Sequence, residues 1–285
     1  FEVFINFGTT TPTRLYAMSC FIAQHGPLPR IRVIEVIQPS AITDNPSMAS
    51  DVFRSLELLR LIDTSSDKER LAQLAIDRNI LSSLDTFRLF LQETITGITE
   101  DVGDNYLLNQ FAAWYGVQDE RVLNMTRSDY ETNFHQQLYP GENKRLVTQS
   151  QSIPLWTAWA EFLGWGWQLR EGVFIPDCTL RLRPLLADLL PETDFIPFNT
   201  FMERLSVHCP ELDGGVLFER CWQASRPYEQ RGNRLSLMLS TALRVLNQRG
   251  ELVLENRADA SENWTLFPAQ SYISRVTHIR KGTTV

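Results

Sequence analysis

The stretch STALRVLNQRGELVLENRADASENWTLFP, residues 240–268, decides how the rest of the chain is read. It describes a helix that stops at a glycine, then two extended runs around a polar loop. Leu235, Met238, Leu239, Ala242, Leu243 and Leu246 recur at i, i+3, i+4, i+7, i+8 and i+11, so one helical face is continuously apolar. Asn233 is the expected N-cap, and Gly250 stands where a left-handed residue would end the helix. ELVLEN and WTLFP read as strands and RADASEN as the tip between them. Upstream, FNTFMERLSVHC and VLFERCWQA are amphipathic helical segments separated by the turn PELDGG. Helix, helix, helix, hairpin is the order of a winged-helix module.

An internal comparison extends this reading to the other end of the chain. At a constant offset of 190 residues, Val52 meets Ala242, Phe53 meets Leu243, Arg54 meets Arg244, Leu56 meets Leu246 and Ile62 meets Leu252. Ahead of this first copy, TRLYAMSCFIAQHG predicts a helix and PLPRIRVIEVIQP a linker and second helix; after it, TSSDKERLAQLA predicts a short wing. Arg60 stands where the second copy has Gly250, so a different cap is expected there. Between the copies, residues 79–96 and 105–116 predict two packed helices. LWTAWAEFLGWGWQLREGVFIPD predicts a helix ending at Leu163 and extended runs around residues 170–172, a third, degenerate winged unit. CTLRLRPLLADLLPE closes the middle as a helix interrupted near Pro184. The expected fold is mainly α with small β-hairpins (α+β): tandem winged-helix modules joined by a helical middle region. The expected boundaries are 1–76, 77–192 and 193–285.

Composition limits the function classes. A 43% hydrophobic content with 7 Trp and 16 Phe supplies buried cores rather than disorder. The net charge of −7 argues against wrapping nucleic acid over the whole surface, although a local basic face is compatible with it. Cys20, Cys178, Cys209 and Cys221 form no CxxC pair and read as reduced core thiols. No charged-then-apolar leader opens the sequence, and no apolar run approaches the ~20 residues of a membrane span, so a cytoplasmic protein without membrane contact is expected.

A search for chemistry leads away from catalysis. There is no GxxxxGK[ST] phosphate loop. Pro176-Asp177 begins a metal-dependent nuclease pattern, but no acidic-x-Lys follows; Glu142-Asn143-Lys144 precedes it instead. Glu100, Asp101 and Asp104 read as solvated loop charge. The four histidines are scattered, and His208 beside Cys209 is read as a helix-end residue next to a core thiol. Trp156 and Trp159 share a helical face with Leu163 and are expected in the core rather than stacked on bases. No catalytic residue, metal or cofactor is therefore expected.

Charge around the terminal module is divided. Residues 226–249 carry +4, which makes Arg231, Arg234, Arg244 and Arg249 candidates for contacting nucleic acid. Residues 251–264 carry −3, and Glu255, Asp259 and Glu262 are candidates for a protein partner, because phosphates would repel an acidic wing.

The phrases HGPLPR, WAEFLGWGW…FIPDCTLRLRPLL and ALRVLNQRGELVLENRADASENWTL together resemble the DpdG family of bacterial dpd clusters, which insert 7-deazaguanine derivatives into DNA and restrict unmodified DNA. The resemblance implies a cytoplasmic, non-catalytic subunit of an anti-phage restriction assembly beside ATPase, helicase and nuclease subunits, and it transfers no catalytic residues. The leading expectation is an adaptor or scaffold bridging double-stranded DNA and those enzymatic subunits, with a second copy of the chain as a further candidate partner. A transcriptional regulator and an accessory subunit of an SMC-type DNA-loading ATPase are the alternatives.

Overall fold

The computed structural model describes residues 9–43, 45–66, 70–96, 104–142, 145–170, 172–260, 262–269 and 272–283. Glu100 and Asp101, Asn143 and Lys144, and residues 67–69 of the segment expected to form the first wing lie outside the described residues. The fold is α+β, mostly helical with small antiparallel sheets.

The first part runs α1 (Pro12–His25), β1 (Leu28–Pro29), α2 (Arg30–Ile37), α3 (Ser47–Leu58), β2 (Ile62–Thr64) and β3 (Leu71–Leu74). Its sheet has the order β1-β3-β2, so the last strand made is the central one. The middle contributes α4 (Leu84–Ile95), α5 (Asp104–Val117), α6 (Arg127–Leu138), α7 (Ser152–Leu163) and the hairpin β4 (Gly166–Arg170) with β5 (Val173–Pro176). From Tyr106 to Val117, α5 is buried at nearly every position and packs along a later helix, α11. Such a helix shows no polar stripe, in contrast to the surface helices.

The last part contains two single-turn helices, α8 (Thr179–Leu182) and α9 (Leu186–Leu189), broken at Pro184 as the sequence suggests. There follow β6 (Ile196–Pro197), α10 (Phe198–His208), α11 (Val216–Ser225), α12 (Leu237–Gln248), β7 (Leu252–Glu255), β8 (Trp264–Thr265), β9 (Arg275–Val276) and β10 (His278–Lys281). The sheet order β6-β10-β7 repeats that of the first part. In both, a two-residue strand ending in proline, Leu28-Pro29 or Ile196-Pro197, pairs antiparallel with the central strand and leads directly into a helix.

Three helices end in one and the same hydrogen-bonded turn. Arg60 N–H bonds Glu57 O and Leu61 N–H bonds Leu56 O; 190 residues later, Gly250 bonds Asn247 O and Glu251 bonds Leu246 O. In α7, Gly164 bonds Glu161 O and Trp165 bonds Ala160 O. These are Schellman turns, each with its C′ residue in the left-handed region, at φ 55°, 70° and 81°. The hairpin after each is closed by an equivalent bond: Ala75 N–H to Leu61 O, Asp177 to Trp165 O, and Gly282 to Glu251 O. Arg60 thus adopts the glycine-like cap, contrary to the expectation of a different one; Leu61 and Leu56, both fully buried, hold the turn closed despite the missing glycine.

Two further expectations are corrected. The N-cap of α12 is Ser236, whose Oγ accepts the Leu239 N–H, and Asn233 lies ahead of the helix. WTLFP does not pair with ELVLEN. β7 pairs with β10, while Trp264-Thr265 pairs with β9 and Thr265 bonds the backbone of Asn233 and Leu235. β7 and its partner β10 are therefore separated by a longer stretch than expected, within which Trp264-Thr265 lie against the chain that precedes α12.

The core residues expected from sequence are buried: Leu243, Leu246 and Trp159 fully, Trp156 nearly so. Trp165 is fully buried as well, and Phe111, Trp114, Tyr115, Phe134, Trp156 and Phe174 form an aromatic cluster with ring centroids about 5 Å apart. Among the described residues, no helix is long and apolar enough to cross a membrane.

Candidate functional site

Both ends of α12 carry the candidate residues, and they differ sharply. At its N-terminus the orphan N–H groups of the first turn meet two buried carboxylates from distant parts of the chain. Asp213, in the turn between α10 and α11, accepts the Ser236 N–H at 2.7 Å and the Ser236 hydroxyl at 2.6 Å. Asp119, following α5, accepts the Leu237 N–H at 2.9 Å.

The arginines neutralise these carboxylates. Arg231 bonds Asp213 at 2.6 Å, also bonds Glu219, and lies over the Phe218 ring at 4.6 Å. Arg234 bonds Asp119 at 2.9 Å and lies over Phe267 at 4.5 Å. Arg226 bonds Asp119 at 3.2 Å and the Val117 carbonyl at 2.6 Å. Burial raises the Asp119 carboxyl above the ordinary range, against the opposing pull of the Leu237 N–H, Arg226 and Arg234. Arg244, in mid-helix, donates to the carbonyls of Phe267, Pro268 and Ile273 and so holds those three residues against α12. Of the four arginines that the sequence nominates for nucleic acid, only Arg249 stands exposed without an ion pair among the described residues.

The acidic candidates sit differently. Glu255 pairs with its neighbour Arg257 at 2.8 Å. Asp259 and Glu262 are exposed and border a cleft of about 330 Å³ with Pro197, Phe198, Asn199 and His278. Glu262 accepts a bond from Asn199 and also borders a second cleft of about 310 Å³ with Met202, Glu203 and Trp264. Trp264 and Phe198 have ring centroids 5.8 Å apart, and Trp264 Nε1 donates to Asn199. The cleft rim thus offers exposed carboxylates, which suit the charged head of a lysine or arginine.

Other candidates are absorbed by structure. Asp177 accepts the Thr179 N–H at 2.9 Å and its hydroxyl at 2.5 Å, opening α8. Cys209 beside His208 is fully buried, and burial pushes its thiol up, the reverse of what a nucleophilic thiolate requires. Trp156 and Trp159 lie in the core.

Sequence reasoning missed Asp119, Asp213 and Glu211. Glu211 is buried and accepts from Arg181 Nε at 3.0 Å and Trp165 Nε1 at 3.1 Å. The signal was present in PELDGG, where two acids flank a leucine inside a turn between two amphipathic helices. Nothing local marks Asp119 as a partner of residues more than a hundred positions away.

The sequence model of the DpdG-like family matches residues 3–260. No curated protein and no solved structure matches the chain.

Proposed function

The chain belongs to the DpdG-like family, and from that membership we propose that it is a non-catalytic adaptor of the dpd DNA modification and restriction system, engaging a protein partner through its terminal wing. Winged-helix modules at 1–76 and 193–285, joined by a helical middle region at 77–192, are the architecture this reading assumes. The repeated strand orders β1-β3-β2 and β6-β10-β7 support it.

One observation carries the reading. In a DNA-reading module the N-terminal residues of the third helix reach the base edges. Here that end of α12 is covered by Asp119 and Asp213, and the neighbouring arginines neutralise them. Asp259 and Glu262 are instead exposed on the cleft wall, with Glu262 accepting from Asn199. The favoured partner surface is basic, belongs to another subunit of the assembly, and places a lysine or arginine between these carboxylates.

The test is co-purification from cells carrying the complete system. Asp259→Arg with Glu262→Arg should abolish recovery of partner subunits while the melting transition is unchanged, since both side chains are exposed. Unchanged recovery removes the wing from the interface. Tight, sequence-selective binding of a palindromic DNA by the purified chain replaces the adaptor with a regulator.

A further inference from the structure

The chain between α6 and α7 is held down by two side chains of α6 one turn apart, Glu131 and His135. Glu131 Oε2 accepts the Gln149 N–H at 2.8 Å, and its other oxygen lies 3.9 Å from Arg145 Nε. His135 is 4% exposed. Its Nδ1 lies 2.7 Å from the Glu131 carbonyl oxygen, and its Nε2 lies 2.7 Å from the Leu146 nitrogen and 3.3 Å from that of Val147. These partners fix the proton on the ring. A carbonyl only accepts, so Nδ1 carries the hydrogen and donates; a backbone N–H only donates, so Nε2 presents its lone pair. A second proton, on Nε2, would meet the Leu146 N–H as donor against donor at a buried ring.

The bound link in turn starts α7. The Thr148 carbonyl accepts the Ile153 N–H at 3.0 Å, the Thr148 hydroxyl accepts the Ser152 N–H at 3.4 Å, and Val147 is buried beside them. Loss of the ring's bonds therefore frees Leu146 and Val147 and loosens the cap of the helix that carries Trp156 and Trp159.

The charged groups that share this corner are Glu131, on α6 itself, and Arg145, at the start of the link. Tyr139 lies with its ring centroid 6.4 Å from that of His135, and its hydroxyl bonds Gln110 of α5. The helices packed on α6 bring Asp104, Tyr106 and Tyr115 on α5, Glu161 on α7, and Glu219, Arg220 and Cys221 on α11. Glu219 is paired with Arg231, and among the described residues none of these groups bonds the ring.

We propose that His135 is an acid-sensitive latch: a proton taken from water onto Nε2 releases the link at residues 145–151 from α6, and its return to water closes the link again. A free imidazole titrates at about pH 6.5, so the latch works near neutrality. The direction follows from the hydrogen bonds. The closed state excludes the proton that the open state binds, so closure is complete above that range and is lost as pH falls through it. With one proton linked, the open fraction rises by up to about tenfold per pH unit.

Amide exchange of the purified full chain between about pH 8 and about pH 5.5, a span in which ordinary carboxylates stay ionised, tests this when expressed as protection relative to the unstructured rate. Protection of the Leu146 and Val147 amides should fall by up to about tenfold per pH unit below about pH 6.5, while that of α12 stays constant. Ring nitrogen shifts should show hydrogen on Nδ1 alone at the alkaline end, and proton uptake at Nε2 over the span in which protection is lost. His135→Gln supplies an uncharged acceptor near the Nε2 position, so protection in this variant should no longer depend on pH. His135→Phe fills the space without an acceptor and should leave both amides about tenfold or more less protected than wild type at the alkaline end. Protection that is constant in the wild type, a ring already charged at the alkaline end, or a ring that titrates with protection unchanged overturns the proposal. So does an equal fall in folded His135→Gln, or one shared by α12, which reports global unfolding.

Discussion

Asp119 Oδ1 accepts the backbone N–H of Leu237 at 2.9 Å across 118 residues of sequence, so the last helix of the chain is capped by a residue of its middle. The same carboxylate holds Arg226, whose side chain is 4% exposed. Asp119→Ala removes one of the two carboxylates on that guanidinium, the other being Glu229 at 3.1 Å, and places an alanine at φ 55°. The expected loss is about 1–3 kcal/mol for the hydrogen bonds to Leu237, Arg226 and Arg234, with about 1 kcal/mol more for the backbone. Urea unfolding monitored by near-ultraviolet circular dichroism measures it. A loss below 1 kcal/mol contradicts the capping role.

The three left-handed caps separate conformational strain from steric conflict. Arg60→Gly should stabilise the protein by about 0.5–1 kcal/mol, because glycine takes positive φ without cost. Gly250→Ala should cost about 1 kcal/mol, since nothing lies within 4 Å of the added methyl. Gly164→Ala should cost clearly more, because its methyl would lie 2.6 Å from Arg181 N. Melting temperatures of the three variants should fall in that order.

In the core of the terminal part, Leu243 and Leu246 are fully buried beneath the sheet. Leu→Ala at either should cost about 2–5 kcal/mol. A change near zero in chemical denaturation means that the buried face of α12 lies elsewhere.

Arg244 should behave as a structural residue. Arg244→Ala removes the donors that hold the carbonyls of Phe267, Pro268 and Ile273, so amide exchange around residues 266–274 should accelerate. The salt dependence of any DNA binding should stay the same, whereas loss of a phosphate contact lowers the log–log slope by about one.

Acid sensitivity has a local component at the start of α6. The Thr126 N–H and hydroxyl bond Asp129, completing a capping box, and the backbone bond above all lowers the Asp129 carboxyl below its ordinary value of 3.8. The stabilisation is complete above that value and is lost as pH falls through the lowered one. Carboxyl chemical shifts should show Asp129 titrating below 3.8 in the wild type and higher in Thr126→Val.

The repeat was legible because it is written in large side chains. Phe53 and Leu243, or Leu56 and Leu246, must face the core, and helical spacing exposes that in any sequence. Arg60 was misread because the left-handed turn there is imposed by buried Leu56 and Leu61, not by the residue that adopts it. Leu28-Pro29 and Ile196-Pro197 are too short for any strand pattern, yet they make the two outer sheets three-stranded. The ion pairs beside α12 were hidden for another reason: sequence shows charge but not its counter-charge. Arg231 and Arg234 are matched by Asp213 and Asp119, which only folding brings near.

The central position of β10 ties the terminal sheet to the order of synthesis. His278 and Ile279 pair with β6 while residues 278–281 pair with β7, so neither neighbour has a sheet partner until residue 281 has left the ribosome. The first sheet needs nothing beyond Leu74 and can close while most of the chain is still untranslated. Premature termination just before His278 therefore leaves the early module intact and two unpaired strand edges in the late one, the kind of exposed backbone that quality-control proteases and aggregation both recognise.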